Sequence, residues 1–402
     1  PARKRSCGRE QLNAMWISNC RIVCPDRIIE RGGLEVAEGV IQAVVEGPPP
    51  RADLDGEGLT CIPGLIDLHG DMVEAKQFPR MTARVPLELA VYELDKELVA
   101  AGITTAYAAL ALQWTEVDTN RTLEACRATM EIIKKKNQDL MCDHHIHARF
   151  EITNPKAGSV LEELIDAQLV DLVSLMDHTP GQGQVRDVER FIQWQMRFRA
   201  EMGRPSDEET IRADVSRLMK TPKAWDAVSS VTSVAHANRL IIASHDDDTP
   251  EKVASMRRFG VTISEFPVTL EAAEAAQQAG NFVLMGSPNA LRGESTGGNL
   301  SVRDAVAAGF VDMLGCDYYS MGLLQGAYSL CHCGLISLPE AINMVSLNPA
   351  KAAGFDDRGS IEVGKKADFV LLSTSDSFPR VRGTWISGLP VFQDRVIYER
   401  TR

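Results

Sequence analysis

The sequence predicts a distorted TIM (β/α)8 barrel carrying a small β-sandwich side domain built from both chain ends. Three observations lead there. Between Cys61 and Pro349, strand-like and helix-like runs alternate, the pattern of a parallel sheet with helices outside it. Eight such strands fit a closed barrel better than an open doubly wound sheet. On either side of this region the chain turns to short strands punctuated by Gly and Pro, so the two ends are expected to pair.

Taken in order, residues 1–14 are expected as an N-terminal arm with the basic opening Pro1-Ala-Arg-Lys-Arg, and Met15 is an alternative start. Residues 15–61 form the first part of the side domain. Ile17 to Val23 is apolar-rich, and Val40 to Val45 alternates loosely. The barrel is placed over residues 62–350. Its strands are expected at Ile62–Leu68, Ile103–Ala109, Leu140–Phe150, Leu172–Met176, Leu240–Ser244, Thr262–Phe266, Asn281–Met285 and Asp312–Cys316. Helices are expected at Leu87–Ala101, Arg121–Lys136, Leu161–Leu169, Val188–Glu201, Glu208–Ala235, Thr269–Ala279 and Arg303–Ala308. Residues 351–402 complete the side domain, through Gly359 to Asp368, the apolar strand Phe369–Leu372 and short strands reaching Tyr398.

Composition narrows the function classes. The 402 residues carry a formal net charge of −12. That balance argues against nucleic-acid and anionic-membrane partners and favours a small-molecule substrate. Nine scattered cysteines do not make a secreted disulfide framework. Cys331 and Cys333 flank His332 without a second pair at zinc-finger spacing, so they read as buried thiols. No apolar run reaches membrane-span length and no signal-peptide core is present, so the expected location is cytoplasmic.

The chemistry-bearing residues gather at strand ends. His69 and Asp71 close the first barrel strand, two apart on one face. Glu151 closes the third, His178 follows Leu172–Met176, His245 follows Leu240–Ser244, and Asp317 follows Asp312–Cys316. Active sites of barrels sit at that end of the strands. Imidazoles and carboxylates together suit one or two divalent ions, zinc foremost with manganese or iron as alternatives. Such an ion makes water a nucleophile near neutral pH. Asp317 fits a ligand or a general base.

His145, His147, Arg149 and Glu151 alternate along one strand, so His147 and Arg149 are expected to line the site, with His144 facing away. Arg80, Arg149, Arg186 and Arg292 are candidates for an anionic substrate, since guanidinium offers paired donors to phosphate. The loop Gly286–Asn299 is either a surface loop or a substrate loop. Asp246, Asp247 and Asp248 read as an N-cap cluster before Pro250, or as groups orienting a ligand. His236 and His332 are assigned to packing.

At these residues the chain resembles a known family. Pro63-Gly-Leu-Ile-Asp-Leu-His-Gly-Asp71 is similar to the amidohydrolase signature, and Gly364-Lys-Lys-Ala-Asp-Phe-Val370 to that superfamily's return into its side domain. Leu172–Gln182, Ala243–Thr249, Glu265–Ala273, Leu284–Asn289 and Cys316–Tyr319 resemble the PhnM-type, phosphonate-utilisation branch, the α-D-ribose 1-methylphosphonate 5-triphosphate diphosphatases. The resemblance implies pyrophosphate release from a ribose 5-triphosphate bearing a phosphonate at C1. It also implies a metal set of His69, Asp71, Glu151, His178, His245 and Asp317. The chain departs from that pattern at Met72, where the family has Asn, and at Phe150, where it has a small residue. Glu294 replaces Gly and Thr296 replaces His in the Gly293–Asn299 loop.

Two other readings stand beside the diphosphatase. One is a literal amidohydrolase that opens a cyclic amide or deaminates a base at the same metal site. The other is an inactive binding protein, which would take up no metal. A homo-oligomer is expected, as is common for barrels of this kind.

Overall fold

The computed structural model describes residues 14–80, 83–112, 122–201, 203–374 and 378–394. Residues 1–13 of the expected arm, the start of the helix expected from Arg121, and the end of the last expected strand at Tyr398 lie outside them.

The described residues form two eight-stranded sheets. The side sheet begins with β1 (Met15–Val23), β2 (Ile28–Ala37), β3 (Val40–Glu46), β4 (Leu54–Asp55) and β5 (Thr60–Pro63). The barrel follows with β6 (Leu65–Gly70), β7 (Ile103–Leu112), β8 (Asp143–Glu151), β9 (Leu172–Met176), β10 (Ile241–His245), β11 (Ile263–Glu265), β12 (Phe282–Gly286) and β13 (Met313–Gly315). The chain then returns to the side sheet through β14 (Phe369–Ser373), β15 (Arg380–Ile386) and β16 (Leu389–Gln393).

All barrel strands are parallel and neighbours in chain order. A parallel bridge from Gly70 to Asp317 joins the last strand to the first and closes the cylinder. Ile66, Leu68, Leu172, Ala243, Ile263, Leu284 and Met313 fill its interior. A second apolar layer lies outside, where Ile146 and Phe150 of β8 meet Leu161 and Leu164 of helix Pro155–Asp166. Stacked layers of this sort favour the ends of the strands for ionisable side chains that must meet solvent or a ligand.

The expected strand Ile62–Leu68 is two strands. Residues 60–63 pair with β14 in the side sheet, residues 65–70 pair with β7 in the barrel, and Gly64 is the switch. A Cβ there would lie 2.3 Å from the Thr104 hydroxyl oxygen, so only glycine permits the crossing. The expected helix Glu208–Ala235 is also two, Glu208–Met219 and Trp225–Ala237. Pro222 explains the break, because it lacks an N–H and disfavours helix at the residue before it.

In the side sheet the order is β16-β15-β14-β5-β1-β2-β3, so both chain ends share it. The sheet curls back on itself, because Ile41 N–H donates to the Lys365 carbonyl at 2.9 Å and Gly364 N–H to the Ile41 carbonyl at 2.9 Å. Enclosed between are Ile17, Leu34, Ile41, Phe369 and Trp385. Among the described residues no helix is long and apolar enough to cross a membrane. Cys333 is exposed and Cys331 partly so, so these two are not the buried thiols expected.

Candidate metal centre

The C-terminal ends of β6, β8, β10, β11 and β13, with the loop after β9, surround one cavity of about 260 Å³. His69, Asp71, His178, His245 and Asp317 of the expected set line it, and Glu151 does not. Backbone geometry aims several of these side chains. Asp246, Phe266 and Asp317 follow β10, β11 and β13 with φ of 53°, 51° and 56°. Left-handed backbone at non-glycine residues costs about 1–2 kcal/mol each, and such strain concentrates at functional sites.

Carboxylates hold the imidazoles. Glu265, fully buried at the end of β11, lies 3.0 Å from His69 Nδ1 and 3.4 Å from His245 Nδ1. Glu151 lies 2.9 Å from His178 Nδ1, and its other oxygen accepts the Thr153 hydroxyl at 3.1 Å. Asp246 Oδ2 stands 3.7 Å from His178 Nε2 and 3.6 Å from His245 Nε2. Two three-residue groups therefore bring potential ligand atoms within 4.8 Å of one another, His69–His245–Glu265 and His178–His245–Asp246. The buried Asp246 Oδ2 and His147 Nε2 have no hydrogen-bond partner. Orphaned acceptors beside neutral imidazoles are what a divalent cation would satisfy, and the nitrogen and oxygen donors suit zinc, manganese or iron.

Burial sets the protonation states. It holds His69 and His245 well below the usual histidine range, helped by the Arg149 charge. Neutral imidazole is the ligating form. Burial pushes Asp246 and Glu265 up to about 6. It pushes Asp317 up to about 7, with the charge of Asp71 adding to the effect and Arg149 opposing it.

The expected substrate residues separate. Arg149 reaches the cavity and donates to His245 Nε2 at 3.2 Å, while its other terminal nitrogen is 3.9 Å from Asp71. Arg292 lines the same cavity and bonds the Tyr318 hydroxyl. His147 is fully buried, with Nδ1 donating to the Leu68 carbonyl at 3.1 Å, so it cannot touch a substrate as expected. Its side chain points inward as alternation demands, but one layer too deep. Arg186 is exposed and borders a neighbouring open hollow together with Glu294, so it stands outside the cavity too. Arg80 bridges to Ala83 at the surface and is not among the lining residues.

The Gly286–Asn299 segment forms a wall. It opens as helix Ser287–Arg292, ends in the left-handed Gly293, and then presents Ser295, Thr296 and Asn299 to the cavity. Arg190 holds that wall by donating to the carbonyls of Thr296 and Gly297, both at 2.9 Å.

Two site residues had no expected role or an ambiguous one. Glu265 ends its barrel strand as His245 ends the one before it, a siting that could have marked it. The cap of helix Pro250–Arg257 is Thr249, not an Asp, which frees the three preceding carboxylates. Asp247 accepts the Ser264 hydroxyl at 2.6 Å, Asp248 accepts Gly183 N–H at 2.8 Å, and Asp246 faces the imidazoles.

Residues 226–391 match the model of the amidohydrolase family. Over 385 residues the chain is 34% identical to the alpha-D-ribose 1-methylphosphonate 5-triphosphate diphosphatase of Escherichia coli strain K12, covering 94% of this chain and all of that protein. Among solved structures, a prolidase complexed with N-methylphosphonate-L-proline superposes with a TM-score of 0.65 at 15% identity, over 95% of this chain and 100% of that one. The N-acetyl-D-glucosamine-6-phosphate deacetylase of Mycobacterium smegmatis gives 0.62 at 15% identity, over 94% of this chain and 100% of that one. At those identities the two structures share the fold.

Proposed function

This chain belongs to the amidohydrolase family and is a metal-dependent hydrolase, and from that premise we propose that it releases pyrophosphate from a ribose 5-triphosphate carrying a phosphonate at C1. The observation that carries the proposal is the pairing of Arg149 and Arg292 with the His and carboxylate cluster in one cavity. A triphosphate needs fixed positive charge on the oxygens where negative charge gathers. Arg292, bonded to Tyr318, offers that charge at the cavity wall, and Arg149 offers it beside His245. Ser295, Thr296 and Asn299 add neutral donors along the wall. Glu294 borders the neighbouring hollow and does not line the cavity itself.

His69, Asp71, His178, His245 and Asp317 are the residues read as holding the ion, with zinc foremost and one or two ions accommodated. A bound divalent ion supplies Lewis acidity toward a phosphoryl oxygen and lowers the pKa of the attacking water. Asp317, lining the cavity just past β13, accepts the proton that the water loses. Glu265 and Glu151 keep the imidazoles in one tautomer while this happens. The proposal extends to a cytoplasmic homo-oligomer.

The test is direct. The purified, zinc-loaded protein is given ribosyl and nucleoside triphosphates beside a panel of cyclic amides, and pyrophosphate and free amine are both measured. Pyrophosphate release from the ribosyl triphosphate is expected. Amide opening with no pyrophosphate would transfer the assignment to C–N bond hydrolysis.

A further inference from the structure

Two clusters compete for a cation, and the tautomers of their histidines decide between them. A neutral imidazole has one N–H and one lone pair. Arg149 is only a donor, so His245 Nε2, which receives it at 3.2 Å, must carry the lone pair. His245 Nδ1 is then the N–H, and it faces Glu265. His69 Nδ1 also faces Glu265, at 3.0 Å. Glu265 is thus engaged by two imidazole N–H groups and takes the place of an orienting carboxylate behind the ligands. Glu151 stands likewise behind His178, with one oxygen on Nδ1 and the other on Thr153.

Both Nε2 lone pairs, that of His178 and that of His245, which a cation would take over from Arg149, face Asp246 Oδ2 at 3.7 Å and 3.6 Å. This oxygen is buried and has no hydrogen-bond partner. Its backbone is locked in place. Asp246 N–H donates to the Glu265 carbonyl at 2.9 Å, and its own carbonyl accepts Lys252 Nζ at 2.9 Å. The left-handed φ of 53° is what turns the carboxylate inward.

Resting on the metal-dependent reading of this site, we propose that Asp246 is itself a metal ligand, completing a cation site with Nε2 of His178 and Nε2 of His245. Glu151 and Glu265 act as positioning residues through the Nδ1–H groups. This assignment moves Glu151 out of the ligand set that the family resemblance implies and puts Asp246 in.

Cobalt(II) titration of the metal-stripped full chain tests it, reading bound metal by equilibrium dialysis and ligand geometry by the visible d–d spectrum. Asn and Gly both tolerate left-handed backbone, so Asp246→Asn and Asp246→Gly should fold, which circular dichroism verifies. Both should bind cobalt at least about 10-fold more weakly and with an altered d–d spectrum, whereas Glu151→Gln should weaken binding by roughly 10–100-fold while keeping the spectrum. Asp248→Asn, two residues along the same loop, should leave both unchanged. Wild-type affinity and spectrum in the Asp246 variants would overturn the proposal and leave the hydrolase reading standing. Failure of the wild-type chain to take up cobalt or zinc would instead overturn the hydrolase reading, and this site with it.

Discussion

The backbone N–H of Asp317 donates to the carbonyl of His69 over 2.8 Å, and the N–H of Asp71 donates back to the carbonyl of Asp317 over 2.9 Å. This reciprocal pair is also the closure of the barrel. The residue read as the proton acceptor is therefore tied by main chain to two of the residues read as ligands. Its position relative to them is fixed by fold, not by side-chain packing.

Asp317→Asn should lower kcat by roughly 10²-fold or more, the usual scale for losing a general base. Asn tolerates the φ of 56°, so the fold and much of the metal, held by the other ligands, should persist. Steady-state kinetics with metal analysis on one sample checks this. Activity near wild type would remove Asp317 from the chemistry.

Arg292→Ala should raise KM for a triphosphate substrate roughly tenfold or more, the scale of one charge-assisted hydrogen bond. A substrate with fewer phosphates should be affected less. Equal effects on charged and neutral compounds would end the phosphate role of Arg292.

His145 supplies a pH test away from the metal centre. It stacks on Tyr107 and lies 3.4 Å from Asp143 and 3.8 Å from Asp171, which are held in turn by Arg358 and Lys134. Burial opposes its protonation, yet the two carboxylates outweigh burial and raise its pKa. A raised histidine pKa stabilises the fold fully below the unfolded value of about 6.5, and the contribution is lost as pH rises through the folded value. Melting temperature should therefore fall as pH rises above the unfolded value of about 6.5, and His145→Gln should flatten that part of the curve. An unchanged curve in the variant would count against the assignment.

Trp385→Ala should destabilise the protein by about 3–5 kcal/mol. The indole is 1% exposed and stacks on Phe369 with centroids 4.8 Å apart, at the centre of the side-domain core. Denaturant unfolding measures the loss. A change below about 1 kcal/mol would mean the side-domain core contributes little.

Much of this was legible in the sequence, for physical reasons. Barrel strands are apolar runs bounded by polar ends, so Leu172–Met176 could be read to the residue and all eight could be found. Siting at strand ends also marked His69, His178, His245 and Asp317, which the fold brings to one cavity. What escaped depended on contacts between distant residues. Gly64 looks like one more residue of an apolar strand until Thr104 presses against it. His147 has the right face, but only the closed cylinder shows that its layer lies beneath Glu265. Arg186 and Glu294 lie far apart in sequence, and their shared hollow is a product of folding. Asp246 is one of three consecutive aspartates whose separate partners come from other strands and loops.

The pairing of β5 with β14 has a consequence for biosynthesis. Ile62 takes Val370 as its neighbour, so the amino-terminal half of the side sheet has no complete partner until the chain is almost finished. At about 5–20 residues per second, the roughly 300 intervening residues take about 15–60 s to leave the ribosome. Throughout that interval Cys61 and Ile62 offer an open edge to any chaperone within reach, and a chain cut short before residue 369 would never close it.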